Sequence, residues 1–271
     1  MQKPPKLLYN LKNLPTRFCS NRKTVSLYKL VIFDLDGTIL NTIEDLADSV
    51  NFALKQNSLS PRSVEEVRSF VGNGIQNLLV RSVCAAKNIP VLEGPSCAPY
   101  FDESTNKSEK SLFTQLLDRV HFCFTEYYKI HCIDKSRPYK GILELLQNLR
   151  SKGFKTAVVS NKADYGVQQL CAQFFPNLFD FALGERNGIK RKPEPDSVFA
   201  VMKKFGISKS NTVYIGDSDV DIQTAHNAGI KCISVSWGFR SKQFLQEHGA
   251  DIIIENTEEF WNALNKVFVT I

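Results

Sequence analysis

Three short apolar runs, far apart in the chain, stop abruptly on polar residues capable of chemistry. Leu27–Phe33 ends at Asp34-Leu35-Asp36-Gly37-Thr38, Thr156–Val159 at Ser160-Asn161-Lys162, and Thr212–Ile215 at Gly216-Asp217-Ser218. Short, mainly apolar runs of this kind predict buried strands. Helical patterns separate them, and two further strands are predicted at Cys232–Val235 and Asp251–Ile254. Strands alternating with helices imply parallel βα units, so the core is expected to be an α/β, doubly wound, Rossmann-like parallel sheet. In such a sheet ligands bind beyond the carboxyl ends of the strands, so the three polar tips can converge on one crevice.

The stretch after the first strand breaks the alternation. Thr42 and Asp45 have capping-box spacing ahead of a helix with Ile43, Leu46, Val50, Ala53 and Leu54 on one face. Ser63 and Glu66 open a second helix, carrying Val67, Phe70 and Val71, which Gly72-Asn73-Gly74 breaks; a third follows through Ile75, Leu78, Leu79 and Val83. Residues 93–110 are polar and predict a loop. A long helix over 111–131 would present Leu112, Leu116, Val120, Phe124 and Tyr127, and a shorter one Leu143, Leu146 and Leu149. The expected organisation is a basic extension at 1–26, a catalytic core from 27–42 and 136–271, and an inserted α-helical cap domain at 43–135.

Charge and cysteine content narrow the partners. Seven of the 34 basic residues fall within residues 1–33, which hold no Asp or Glu, so the rest carries 27 basic against 28 acidic residues. A near-neutral body argues against a nucleic-acid surface. No run approaches the ~20 apolar residues of a membrane span, so no membrane partner is expected. The basic start has no apolar signal region; it is expected to be a solvated tail, with an organelle transit peptide as the alternative. The seven cysteines are odd in number and none are spaced CxxC, which suits reduced thiols in the cytoplasm.

Carboxylates crowded at one end of a sheet repel each other, and a hard cation relieves them. Mg²⁺ prefers oxygen ligands, which Asp34, Asp36 and Asp217 would supply. A phosphate ester drawn to that ion meets a carboxylate nucleophile, which gives an aspartyl-phosphate. Asp36, two residues on, can protonate the departing alcohol and later take a proton from water.

The assembled pattern resembles the haloacid-dehalogenase superfamily, over about residues 28–268. Asp34-Leu35-Asp36-Gly37-Thr38, Ser160, Lys192-Pro193 and Gly216-Asp217-Ser218-Asp219-Val220-Asp221 occur in the order of its four motifs. The resemblance implies Asp34 as nucleophile and Asp36 as acid and base. It implies that Ser160, or Asn161, binds a phosphoryl oxygen and that Lys192 holds nucleophile and phosphate. It further implies magnesium on Asp34, Asp217 and the main-chain carbonyl of Asp36, with Asp221 supporting these ligands from behind. A carboxylate at Asp36 favours phosphoryl transfer over dehalogenation. Val71-Gly72-Asn73-Gly74 and Trp237-Gly238-Phe239 look like the phosphoglycolate-phosphatase-like branch. The expected partner is therefore a small phosphorylated metabolite, acted on by a monomer or homodimer. A phosphomutase of the β-phosphoglucomutase type, a pyrophosphatase and a nucleotidase share the scaffold and stay open, as does a non-catalytic interaction protein. Gly72 and Gly74 are either a helix end or a loop facing the substrate. Arg81 is either a surface charge or a contact for a substrate carboxylate, and His121 and His131 are expected to pack rather than catalyse.

Overall fold

No residue of strand β1 (Leu30–Phe33) is more than 1% exposed. A strand buried on both faces must be covered by helices on each side, the arrangement of parallel sheets. The computed structural model describes residues 29–94, 96–102 and 105–268; the basic extension expected at 1–26 lies outside them. After β1 come β2 (Leu40–Asn41), α1 (Ile43–Gln56), α2 (Val64–Phe70), α3 (Gly74–Lys87), β3 (Val91–Leu92), β4 (Ala98–Pro99), α4 (Lys107–His131) and β5 (Arg137–Pro138). The chain then alternates: α5 (Ile142–Ser151), β6 (Lys155–Ala163), α6 (Asp164–Phe174), β7 (Phe181–Glu185), α7 (Asp196–Phe205), β8 (Thr212–Gly216), α8 (Asp219–Ala228), β9 (Lys231–Val235), α9 (Lys242–Glu247), β10 (Ile253–Ile254) and α10 (Phe260–Phe268).

Six strands form one parallel sheet in the order β10-β9-β8-β1-β6-β7. The chain winds outward from β1 in both directions, so the strand order reverses at β1 and opens a crevice at its carboxyl end. Alternate residues of β1 serve opposite cores. Val31 and Phe33 pack with Val158, Val213 and Ile215, while Leu30 and Ile32 pack with Ala157, Val159, Val198 and Tyr214.

Helices α1–α4 pack as one block between β1 and β6. Ile43, Leu46, Val50, Ala53 and Leu54 are all buried, as their spacing predicts, and α1 lies along α4 with Phe52 stacked on Tyr127 at 4.2 Å. The inward face of α4 is Phe113, Val120, Phe124 and Tyr128; Leu112, expected there, is 63% exposed. In α5 the buried set is Ile142, Leu145, Leu146 and Leu149, and Leu143 faces outward. The segment expected to be a loop at 93–110 holds part of the short β3–β4 pair and the first turn of α4.

The two crossings between sheet and block are clipped together. Strands β2 and β5 pair antiparallel, and buried Asp45 accepts from the backbone N–H groups of Lys135 (2.9 Å) and Ser136 (2.8 Å) and from the Ser136 hydroxyl (2.7 Å). The capping box expected between Thr42 and Asp45 does not form, because Asp45 is turned inward for this task and the Thr42 hydroxyl donates to Asp36 instead. Ser63 and Glu66, with no competing partner, do form theirs.

Candidate active site

The sequence after β1 forms a tight turn at the mouth of the crevice. Asp34 N–H still donates to Ile215 of β8 at 2.9 Å, and the Leu35 carbonyl then accepts from Thr38, Ile39 and Leu40. Gly37 makes the turn with φ +84°, and a Cβ there would lie 2.3 Å from Oδ2 of Asp217. Glycine is therefore required twice over, for its backbone angle and for the close approach of Asp217. Asp217, at the end of β8, accepts from the Thr38 hydroxyl (3.0 Å) and the Phe239 N–H (2.7 Å).

Asp34, Asp217 and Asp221 each place a carboxylate oxygen within 4.8 Å of the other two, and all three are buried. Lys192 enters from the other side. Its Nζ stands 2.7 Å from Asp221, 2.9 Å from Asp34 and 3.1 Å from the Tyr214 hydroxyl. Asp221 also accepts from the Ser218 hydroxyl at 2.6 Å, so it supports both Lys192 and the start of α8. Asp36 does not join the acidic group through its side chain. The turn at Gly37 directs that carboxylate to Lys162, whose Nζ is 2.9 Å from each oxygen, and to the Thr42 hydroxyl at 2.6 Å.

Ser160 and Asn161 lie within β6, just past Val158, the last residue that pairs with β1. The Ser160 hydroxyl oxygen accepts from Lys162 N–H at 3.3 Å. The Asn161 carboxamide is committed to the backbone: it accepts from Lys192 N–H (2.8 Å) and donates to the carbonyls of Lys192 (3.0 Å) and Gly72 (3.3 Å). It thus ties the Lys192 loop to the break between α2 and α3. Gly72 and Gly74 both line the cavity, in keeping with a loop that faces the site. Arg81 does not line it, and instead donates to the Phe70 carbonyl and pairs with Glu93. His121 is exposed, while His131 stacks on Tyr127 and pairs with Asp134.

Two participants were not singled out in the sequence. Lys162 is the third residue of the polar triplet Ser160-Asn161-Lys162 and carries no signal of its own. Arg240, five residues past β9, donates to the carbonyls of Arg68 (3.0 Å), Ser69 (3.3 Å) and Val71 (2.7 Å), closing the end of α2 over the cavity. The cavity, which opens to solvent, has a volume of about 50 Å³, room for a few waters when one takes roughly 10–15 Å³. Leu46, Val71, Ile75, Leu78 and Phe239 give it an apolar wall opposite the charged floor.

Burial pushes Asp34 up to about 7, with Asp221 and Asp36 adding to the rise and Lys192 opposing it. Burial likewise pushes Asp217 up to about 8, helped by Asp221 and Asp34. For both lysines burial works against the charge, but Asp36 holds Lys162 protonated, and Asp221 and Asp34 do the same for Lys192. Two buried carboxylates that resist ionisation, Asp34 and Asp217, with that of Asp221 beside them, are a donor set suited to a hard divalent cation. This predicts a pH signature. The metal-free fold binds protons on Asp34 and Asp217 that the unfolded chain has released above pH ~4, so its stability declines as pH rises from about 4 to about 8. Millimolar Mg²⁺ takes the place of those protons. It is expected to raise the melting temperature by roughly 5 °C or more at pH 8 and far less at pH 5.5. Equal shifts at both pH values would remove this cluster as the binding site.

A model of the haloacid dehalogenase-like hydrolases matches residues 31–235. The chain is 32% identical to the phosphoglycolate phosphatase of Mannheimia succiniciproducens over 232 residues, 85% of this chain and 96% of that one. It is 31% identical to the enzyme of that name from Haemophilus influenzae over 230 residues, 84% of this chain and 95% of the other. Among solved structures, a Lactobacillus delbrueckii subsp. bulgaricus protein provisionally named phosphoglycolate phosphatase superposes with a TM-score of 0.77 at 40% identity, covering 88% of this chain and 98% of its own.

Proposed function

The chain belongs to the haloacid dehalogenase-like hydrolases, as a phosphoglycolate-phosphatase-like member, and on that premise we propose that it hydrolyses a small phosphate monoester through Asp34 with Mg²⁺ as cofactor. One observation carries the reading. A buried carboxylate at the crevice of a parallel sheet has a lysine at 2.9 Å and a second, differently partnered carboxylate two residues away.

In this reading an oxygen of Asp34 attacks phosphorus, the bond to the leaving oxygen breaks, and Asp36 gives that oxygen its proton. The products are an alcohol and an aspartyl-phosphate. Asp36 then takes a proton from water, which attacks phosphorus and breaks the bond to Asp34, releasing inorganic phosphate. Lys192, already 2.9 Å from Asp34, holds the nucleophile and offsets phosphoryl charge. Ser160 serves a phosphoryl oxygen through its hydroxyl. Asn161 contributes by fixing the Lys192 backbone, since its carboxamide is spent there. Mg²⁺, held by Asp34, Asp217 and the Asp36 carbonyl with Asp221 behind them, would offset charge on the phosphoryl group. The helical block at 43–135 acts as the cap that excludes water and selects the leaving group. Six free thiols among the described residues fit the proposed cytoplasmic setting.

The test is phosphate release from phosphoglycolate, sugar phosphates, nucleoside monophosphates and pyrophosphate, with Mg²⁺ and with a chelator. Mg²⁺-dependent release from a small monoester is expected, phosphoglycolate foremost. Isomerisation of a sugar phosphate in place of release would transfer the site to the mutases.

A further inference from the structure

The two aspartates of the Asp34-Leu35-Asp36 turn are held by different buried lysines. Asp34 shares Lys192 with Asp221, whereas Asp36 has Lys162 and Thr42 to itself. The side chain of Lys162 is 4% exposed and that of Asp36 12%, so neither charge is dissipated in solvent. The ladder between β6 and β7 shifts register between Val159 and Ala163, and Lys162 stands within that shift. Such irregularities re-aim a side chain that regular pairing would send elsewhere. Gly184 of β7 permits it: a Cβ there would lie 2.6 Å from the Lys162 carbonyl. On its far side the ammonium lies 4.9 Å from the ring centre of Tyr128, carried by α4 of the helical block. Lys162 is therefore fixed by the sheet, the β1 turn and the cap together.

Resting on the phosphatase reading above, we infer that Lys162 is the positioning residue for proton transfer by Asp36. It spans both carboxylate oxygens, and the Thr42 hydroxyl holds one of them from the opposite side. Between them they keep Asp36 turned away from the acidic group of Asp34, Asp217 and Asp221, which is where an untethered carboxylate would be drawn once a cation bound there. Asp36 gives its proton to the departing oxygen and regains one from the attacking water, while Lys162 keeps its own protons throughout. Because Tyr128 seats the ammonium, the alignment of the acid depends on the cap being in place.

The experiment is steady-state kinetics with Mg²⁺ on the parent, Lys162→Met, Asp36→Asn and the double variant, using phosphoglycolate and p-nitrophenyl phosphate. A positioning role for the acid predicts that Lys162→Met lowers kcat about 30- to 100-fold on the alkyl ester and less than about fivefold on the aryl ester, whose leaving group needs little help. KM should stay within about threefold, and adding Lys162→Met to Asp36→Asn should cost less than about threefold more, since both act through one carboxylate. Lys162→Arg, whose fork can also span both oxygens, should recover at least about tenfold. Equal losses on the two esters, or losses that multiply in the double variant, would overturn the inference. Melting temperatures of the same four proteins separate this from failure of the phosphatase reading. If the parent turns over neither ester, that reading fails; coupled melting shifts still support the pairing, and additive shifts overturn it.

Discussion

Asp34→Asn is expected to lower turnover of any substrate about 10⁴-fold or more, with the protein folded and its melting temperature at pH 8 unchanged or higher. Asparagine matches aspartate in shape but cannot attack phosphorus as a carboxylate, so the covalent route closes. The stability half of the result is less obvious. Asp34 lies in a group of three buried carboxylates, and burial holds it protonated up to about 7. A neutral amide there resembles the protonated acid that the metal-free fold already favours. Lys192 loses one charged partner and keeps Asp221 at 2.7 Å, which itself is fully buried. The variant should therefore also lose the share of the pH dependence of stability that Asp34 contributes below about pH 7, keep the share due to Asp217, and respond more weakly to Mg²⁺. Circular dichroism melts beside a phosphate-release assay read both halves. Turnover within tenfold of the parent would remove Asp34 as nucleophile; a large fall in melting temperature would mean that its charge serves the fold.

The parts of this site that the sequence announces are those coded by a local pattern. A four-residue strand with no exposed side chain followed at once by Asp34 cannot be mistaken for an amphipathic helix, because no helical face is polar. The same holds for β8, buried throughout and followed by Asp217, while α1 is legible by the opposite sign, its buried residues falling at helical spacing. What the sequence hides is the assignment of partners across long separations. Lys162 and Asp36 are 126 positions apart, and nothing local distinguishes that lysine from a solvated one at a strand end. Arg240 acts on carbonyls, which carry no residue signature, and only the folded chain brings the end of α2 beneath it. Thr42 and Asp45 show the reverse error, since their spacing fits a capping box while each is claimed by another partner, Thr42 by Asp36 in the preceding turn and Asp45 by Ser136 far along the chain. The helix face errors at Leu112 and Leu143 have a simpler origin. A stripe shifted by one residue also satisfies the period, and only packing against α1 or the sheet decides between them.

Lys192→Met should be the most disruptive of the single changes that keep side-chain volume, and its effect should depend on pH. The lysine is 3% exposed and stands against Asp34, Asp221 and Tyr214, so it is the cation that makes the acidic group tolerable without metal. Methionine fills the space and removes the charge. Removing one partner of a buried pair costs about 3–5 kcal/mol, because the remaining charge is left uncompensated. At pH 8 this corresponds to a fall in melting temperature of roughly 10 °C for a chain of this size. The lysine itself is charged at pH 8 and at pH 5 in both folded and unfolded protein, so it contributes no pH dependence in that range. The carboxylates do. Without Lys192 Asp34 resists ionisation more strongly, and the variant loses stability faster than the parent as pH rises from about 4. At pH 5 Asp34 is protonated and the deficit should shrink. Mg²⁺ at pH 8 should return part of the lost stability, because it offers the same carboxylates another positive charge. It should return little activity, since a lysine that holds nucleophile and phosphoryl oxygens together is worth about 10²–10³ in kcat. If instead the deficit is the same at pH 5 and pH 8 and indifferent to Mg²⁺, Lys192 stabilises the protein through the packing of its stem, and the balance of charge proposed for this site is wrong.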